Sequence, residues 1–113
     1  MQPEFHISHR EEDDWTVVEI HGEIDIHTVP RIRDHVVHRL ETGHRRLVVD
    51  LAGMTFMDST GLWLLVGIRK RIRSRTGDLR LVITNPEVLR IFHVTGLHQV
   101  FPIHGSVESA MTE

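Results

Sequence analysis

The chain of 113 residues contains no cysteine, which excludes a disulfide framework and any thiol chemistry. No apolar run approaches the ~18 residues of a membrane span. The N-terminal segment "MQPEFHISHREEDD" has no apolar signal core. The expectation is a soluble, cytoplasmic protein without a membrane partner. Positive charge is not in excess either: the formal charge is −3, which argues against a general nucleic-acid binder. Linkers, internal repeats and low-complexity stretches are missing. So is a P-loop for nucleotide phosphates.

What is present suits one globular domain spanning 1–113. Apolar residues make up 40% and charged residues 26% of the chain. A domain of this size buries roughly two thirds of its unfolded surface, enough for a single core.

Strand and helix signals alternate along the chain. Phe5 to His9 reads as a short strand and Glu11 to Asp14 as an acidic turn. "WTVVEIHG", Trp15 to Gly22, is rich in β-branched residues and makes a second strand in a hairpin with the first. "GEIDIHT" reads as a loop. Thr28 is placed to cap a helix with Pro30 in its first turn. In that helix Val29, Ile32, Val36 and Leu40 recur at spacings of three and four, so they form a buried face. Gly43 ends it. "RRLVVDL" is a near-continuous apolar strand of the kind buried on both faces. A loop follows, then the stretch "FMDSTGLWLLVG". "GDLRLVI" is another strand. "NPEVLRIFHVTG" is a short helix with Asn85 as cap and Gly96 at its end. "VFPI" is a last short strand, and Ser106 to Met111 suggests a terminal helix. The pattern predicts an α/β domain with a mixed, mainly parallel sheet and packed helices.

"FMDSTGLWLLVG" sets four turn-forming residues against the most hydrophobic segment. Asp58, Ser59 and Thr60 are all good N-caps. Leu62, Leu65, Val66 and Ile72, with the stem of Arg69, form an apolar stripe, so a helix is predicted from near Ser59 to about Arg75. The basic residues Arg69, Lys70, Arg71, Arg73 and Arg75 suit its negative dipole end. They read as a solvated helix end, since a single run without interleaved aromatics is weak evidence for nucleic acid. The helix start offers free backbone N–H groups and a positive dipole end, which tolerate an anion. A phosphate on Ser59 adds a charge of about −1.5 to −2 there without melting the helix. The alternative is that these residues only cap the helix.

Other chemistries fit less well. If Asp58 were an aspartyl-phosphate acceptor, a second acidic cluster would have to follow the first buried strand. Glu11 to Asp14 precede a strand instead. The segment is not Gly-x-Ser-x-Gly, so Ser59 does not match a hydrolase nucleophile elbow. Of the ten histidines, His35 and His38 share a helix face. There is no His-Glu-x-x-His pattern, so surface histidines are a better reading than a metal site.

"VVDLAGMTFMDSTGLWLLVG", with "GEID" about thirty-five residues before its motif, resembles the STAS domain of bacterial anti-sigma factor antagonists. "NPEVLRIFHVTGLHQVFPI" is similar to that family's next helix and strand. The resemblance covers almost the whole chain. It implies a non-enzymatic, cofactor-free binding domain phosphorylated on Ser59 by an anti-sigma factor with serine kinase activity. The unmodified form binds that factor and frees the sigma factor; phosphorylation abolishes binding; a phosphatase restores it. Asp58 then caps the helix or orients the hydroxyl, Thr60 flanks it, and Gly61 keeps the backbone open to the partner. Glu23 and Asp25 match the family's loop beside the phosphosite and touch either the partner or only solvent. Trp63 departs from the small residue usual in the family. It is either an interface anchor or packed on a neighbouring helix. A STAS module of another pathway, a stress-signalling scaffold or small-ligand sensor, is the alternative.

Overall fold

The computed structural model describes residues 4–112, so the sequence-derived bounds 1–113 reach beyond the described residues at both ends. Five strands and four helices alternate: β1 (His6–Glu12), β2 (Trp15–Ile24), α1 (Val29–Glu41), β3 (Arg46–Met57), α2 (Ser59–Ser74), β4 (Asp78–Val82), α3 (Pro86–Val94), β5 (Ile103–His104) and α4 (Val107–Thr112). A 3₁₀ turn over Leu97–Gln99 links α3 to β5. The strands lie in the order β1-β2-β3-β4-β5. β1 pairs antiparallel with β2, and the other neighbours are parallel, as the expected mixed sheet requires. Among the described residues no helix is long and apolar enough to cross a membrane.

β3 is the centre of the sheet. Leu47, Val49 and Leu51 face the main core beneath α1, α2 and α3, while Val48 faces a second cluster with Trp15, Val17, Val82 and Ala110 of α4. Alternate residues are therefore buried on opposite faces, which is why the sequence there shows no polar alternation. The α1 face of Val29, Ile32, Val36 and Leu40 is buried as its spacing predicts. Gly43, at φ 98, follows that helix in the left-handed region where glycine carries no Cβ penalty.

Several boundaries differ from the sequence reading. Glu11 and Glu12 belong to β1, paired with Thr16 and Trp15, and the turn is only Asp13–Asp14. The Glu11 carboxylate accepts the Thr16 hydroxyl at 2.7 Å, so this acid sits in the ladder instead of the turn. Glu23 and Ile24 extend β2 beyond Gly22, and residues 52–57 extend β3, where loops were expected. The two segments pair with each other through two register irregularities, after Glu19 and after Gly22. Such bulges break the period-2 pattern that a sequence reading depends on. In α2 the buried residues are Gly61, Leu64, Leu65, Ile68 and Ile72, while Leu62 and Val66 are half-buried at the margin. The predicted stripe was thus rotated. Five consecutive apolar residues fill two adjacent stripes about 100° apart, and only packing selects between them.

Candidate functional site

β2 and β3 leave the sheet side by side. Their last partners are Glu23 with Phe56 and Ile24 with Met57, and the Asp58 N–H still donates to the Ile24 carbonyl at 3.3 Å. This register brings Glu23, Asp25, Asp58 and Ser59 together, though they are far apart in sequence. The loop after β2 is tied by its own side chains. The Asp25 carboxylate accepts the backbone N–H groups of His27 at 2.8 Å and Thr28 at 3.1 Å. Thr28 holds the N-cap position of α1, but its hydroxyl makes no cap bond; it donates back to the Glu23 carbonyl at 2.9 Å. Asp25 therefore shapes the entry to α1, the work the sequence assigned to Thr28. The Glu23 side chain is left half-exposed beside it.

Asp58 is the N-cap of α2, in extended backbone with φ −102 and ψ −172. Its carboxylate accepts the Thr60 N–H at 2.9 Å and also the Thr60 hydroxyl. The Thr60 hydroxyl bond is the chief cause holding the Asp58 carboxyl below its ordinary range. Slight burial works against this, and the backbone N–H groups of Thr60 and Gly61 add to it. Ser59 lies between these groups, exposed, and among the described residues its hydroxyl has no hydrogen-bond partner. Asp58 thus caps the helix and orients Thr60, not Ser59.

Gly61 does not present backbone outward. It is buried, and a Cβ there would stand 2.7 Å from Met57 Cγ and 2.9 Å from Ile24 Cγ2. The glycine lets the first turn of α2 settle on the ends of β2 and β3, which corrects the expectation of an open backbone. Trp63 is 72% exposed, so it does not pack into a neighbouring helix. Ile26, at 66%, and Phe56 are also exposed near these strand ends, and the sequence reading did not single them out. Trp63 lines two hollows. One, of about 340 Å³, also holds Ser59, Leu62, Val66, Thr95 and Leu97. The other, of about 500 Å³, lies between α1 and α2.

The site has the makings of a binding surface. No histidine or carboxylate is hydrogen-bonded to Ser59 among the described residues, so no nucleophile–base pair is assembled there. Among them, too, no group of three or more His, Asp or Glu is placed to hold a metal ion. His35 and His38 are drawn to other partners. His35 Nε2 lies 2.8 Å from His9 Nδ1, and His38 contacts Arg39.

The chain is similar to known proteins over most of its length. Residues 6–110 match the family described as STAS domain. The chain is 32% identical over 96 residues to an anti-sigma-B factor antagonist of Staphylococcus epidermidis, covering 85% of this chain and 89% of that protein. It is 33% identical over 100 residues to an anti-sigma F factor antagonist of Paenibacillus polymyxa, covering 86% and 84%. The crystal structure of an anti-sigma factor antagonist from Mycobacterium paratuberculosis superposes with a TM-score of 0.89 at 27% identity, over 96% of this chain and 92% of that one. The chain belongs to the STAS domain family.

Proposed function

We propose that this chain is an anti-sigma factor antagonist, a binding domain switched by phosphorylation of Ser59. The observation that carries the reading is the exposed, unbonded Ser59 hydroxyl on the first turn of a firmly capped helix. A kinase needs such a hydroxyl rigidly placed and free of competing bonds. The domain supplies no catalytic group or cofactor of its own. An anti-sigma factor with serine kinase activity brings ATP, Mg²⁺ and base. The unmodified surface of Ser59, Thr60, Trp63, Glu23 at the end of β2 and Asp25 in the loop after it binds that factor, and the sigma factor is released. Phosphate adds about two negative charges beside the ionised Asp58, and repulsion and desolvation then break the interface. A phosphatase resets it. The cycle operates in the cytoplasm, where sigma factors act.

The test is titration of the purified serine-kinase anti-sigma factor of the source organism into wild-type protein and Ser59→Asp. Wild type should bind, and Ser59→Asp should lose affinity at an unchanged melting temperature. Equal affinity of the two would sink the proposal.

A further inference from the structure

The hollow between α1 and α2 has the form of a trough lined by two helices. Along α2 its wall is Thr60, Trp63, Gly67 and Arg71, at spacings of three and four that keep them on one line. Along α1 it is Val29, Arg33 and Val37. The α2 line runs about 16 Å at 1.5 Å per residue, close to three helical turns.

Three features distinguish the trough from an incidental crevice. First, Trp63 and Ile26 line it while 72% and 66% exposed, so two large apolar side chains are left uncovered beside the buried Val29, Leu64 and Ile68. Second, Gly67 is an exposed position in the middle of α2, where glycine weakens the helix relative to alanine. A Cβ at Gly67 would meet nothing of this chain within 4 Å, so no internal contact requires glycine there. A bare, exposed backbone in the lining of a trough admits the close approach of something external. Third, the charge is of one sign. Arg33 and Arg71 line the trough without an acidic side chain, and among the described residues neither forms an ion pair.

We propose that this trough seats an amphipathic helix of the anti-sigma factor, its apolar face over Gly67 beside Trp63 and an acidic side chain between Arg33 and Arg71. The inference rests on the function proposed above. It adds a second contact surface that joins the Ser59 site through Thr60 and Trp63. The partner is a helix because the trough runs along α2 for about three turns and sets uncovered apolar side chains beside two arginines, which an amphipathic helix with an acidic edge complements.

The experiment titrates the purified serine-kinase anti-sigma factor into four proteins: wild type, Ser59→Asp, Gly67→Leu and the Arg33→Glu/Arg71→Glu double variant. Gly67→Leu should lose tenfold or more in affinity while melting no lower than wild type. The double variant should lose a similar factor, and its binding should be less sensitive to salt. If both bind as wild type while Ser59→Asp does not, the trough is overturned and the phosphoswitch stands. If Ser59→Asp binds like wild type, the switch fails and the inference fails with it. If wild type sediments as a dimer that Gly67→Leu dissociates, the occupant is a second copy and the assignment is overturned.

Discussion

The Asp58 carboxylate holds both the backbone N–H and the hydroxyl of Thr60, the N–H at 2.9 Å, and passes over Ser59 between them. Two neighbouring hydroxyls in one motif are thereby made unequal. Thr60 is half-buried and bonded, whereas Ser59 is exposed and free. A kinase must break the Thr60 bond to reach that oxygen but none to reach Ser59. Phosphate should therefore appear on Ser59 when the protein is incubated with the anti-sigma factor kinase and ATP, and Ser59→Ala should abolish incorporation. Mass spectrometry that found phosphate on Thr60 with Ser59 clean would reverse the assignment.

The same bond predicts the titration of Asp58. Its carboxyl lies below the ordinary aspartate value of about 3.9. A group whose folded pKa is lowered contributes stability that is present above its unfolded pKa and is lost as pH falls through the folded one. Thr60→Val removes the first cause of the shift, so the Asp58 pKa should move up toward the ordinary value. The stability gap between wild type and Thr60→Val should be widest near neutral pH and narrow in acid. Carboxyl-carbon NMR titration reads the pKa directly, and an unchanged Asp58 in the variant would rule out this account. Asp58→Ala removes the cap as well, at about 0.5–2 kcal/mol.

Trp63 is the large aromatic side chain that α2 leaves in water. Truncation should therefore separate binding from folding. Trp63→Ala should change stability by about 0.5 kcal/mol or less, as an exposed site does. It should weaken the anti-sigma factor complex by about 2 kcal/mol or more, as loss of an aromatic anchor does. Denaturant midpoint and affinity measured on the same variant decide the matter. A loss of about 3–5 kcal/mol in stability would place the indole in a core.

The legible parts of this chain were those with strong local periodicity. Val29, Ile32, Val36 and Leu40 have one possible buried face, and the run Leu47 to Val49 has two buried faces, so both were read directly. Asn85 was legible as a cap because its side chain acts locally, accepting the Glu87 N–H at 2.9 Å. Legibility ended where distant segments decide. The extension of β2 through Ile24 depends on β3 lying beside it, and the bulges after Glu19 and Gly22 hide it from a period-2 pattern. The rotation of α2 depends on which neighbouring stripe the sheet accepts. The Asp-Ser-Thr-Gly motif was visible as a motif, but the division of labour within it was not. Asp58 choosing Thr60, Gly61 being buried and Asp25 tying the α1 entry are products of three-dimensional packing.

Two glycines of α2 should respond oppositely to the same substitution. At Gly61 an added methyl would stand 2.7 Å from Met57 Cγ and 2.9 Å from Ile24 Cγ2, atoms near the backbone of packed residues. Overpacking of this kind costs about 1–3 kcal/mol, more than the helix propensity that alanine gains. At Gly67 the methyl meets nothing within 4 Å, so alanine keeps its full advantage of about 0.8–1.0 kcal/mol over glycine in a helix interior. Gly61→Ala should thus lower the denaturant midpoint and Gly67→Ala should raise it. Because the first glycine serves the fold and the second is assigned to a partner, only Gly67→Ala should combine higher stability with weaker binding. Equilibrium unfolding of the two variants under the same conditions tests the contrast. A stabilised Gly61→Ala would show that the first turn of α2 is looser than its contacts with Met57 and Ile24 indicate.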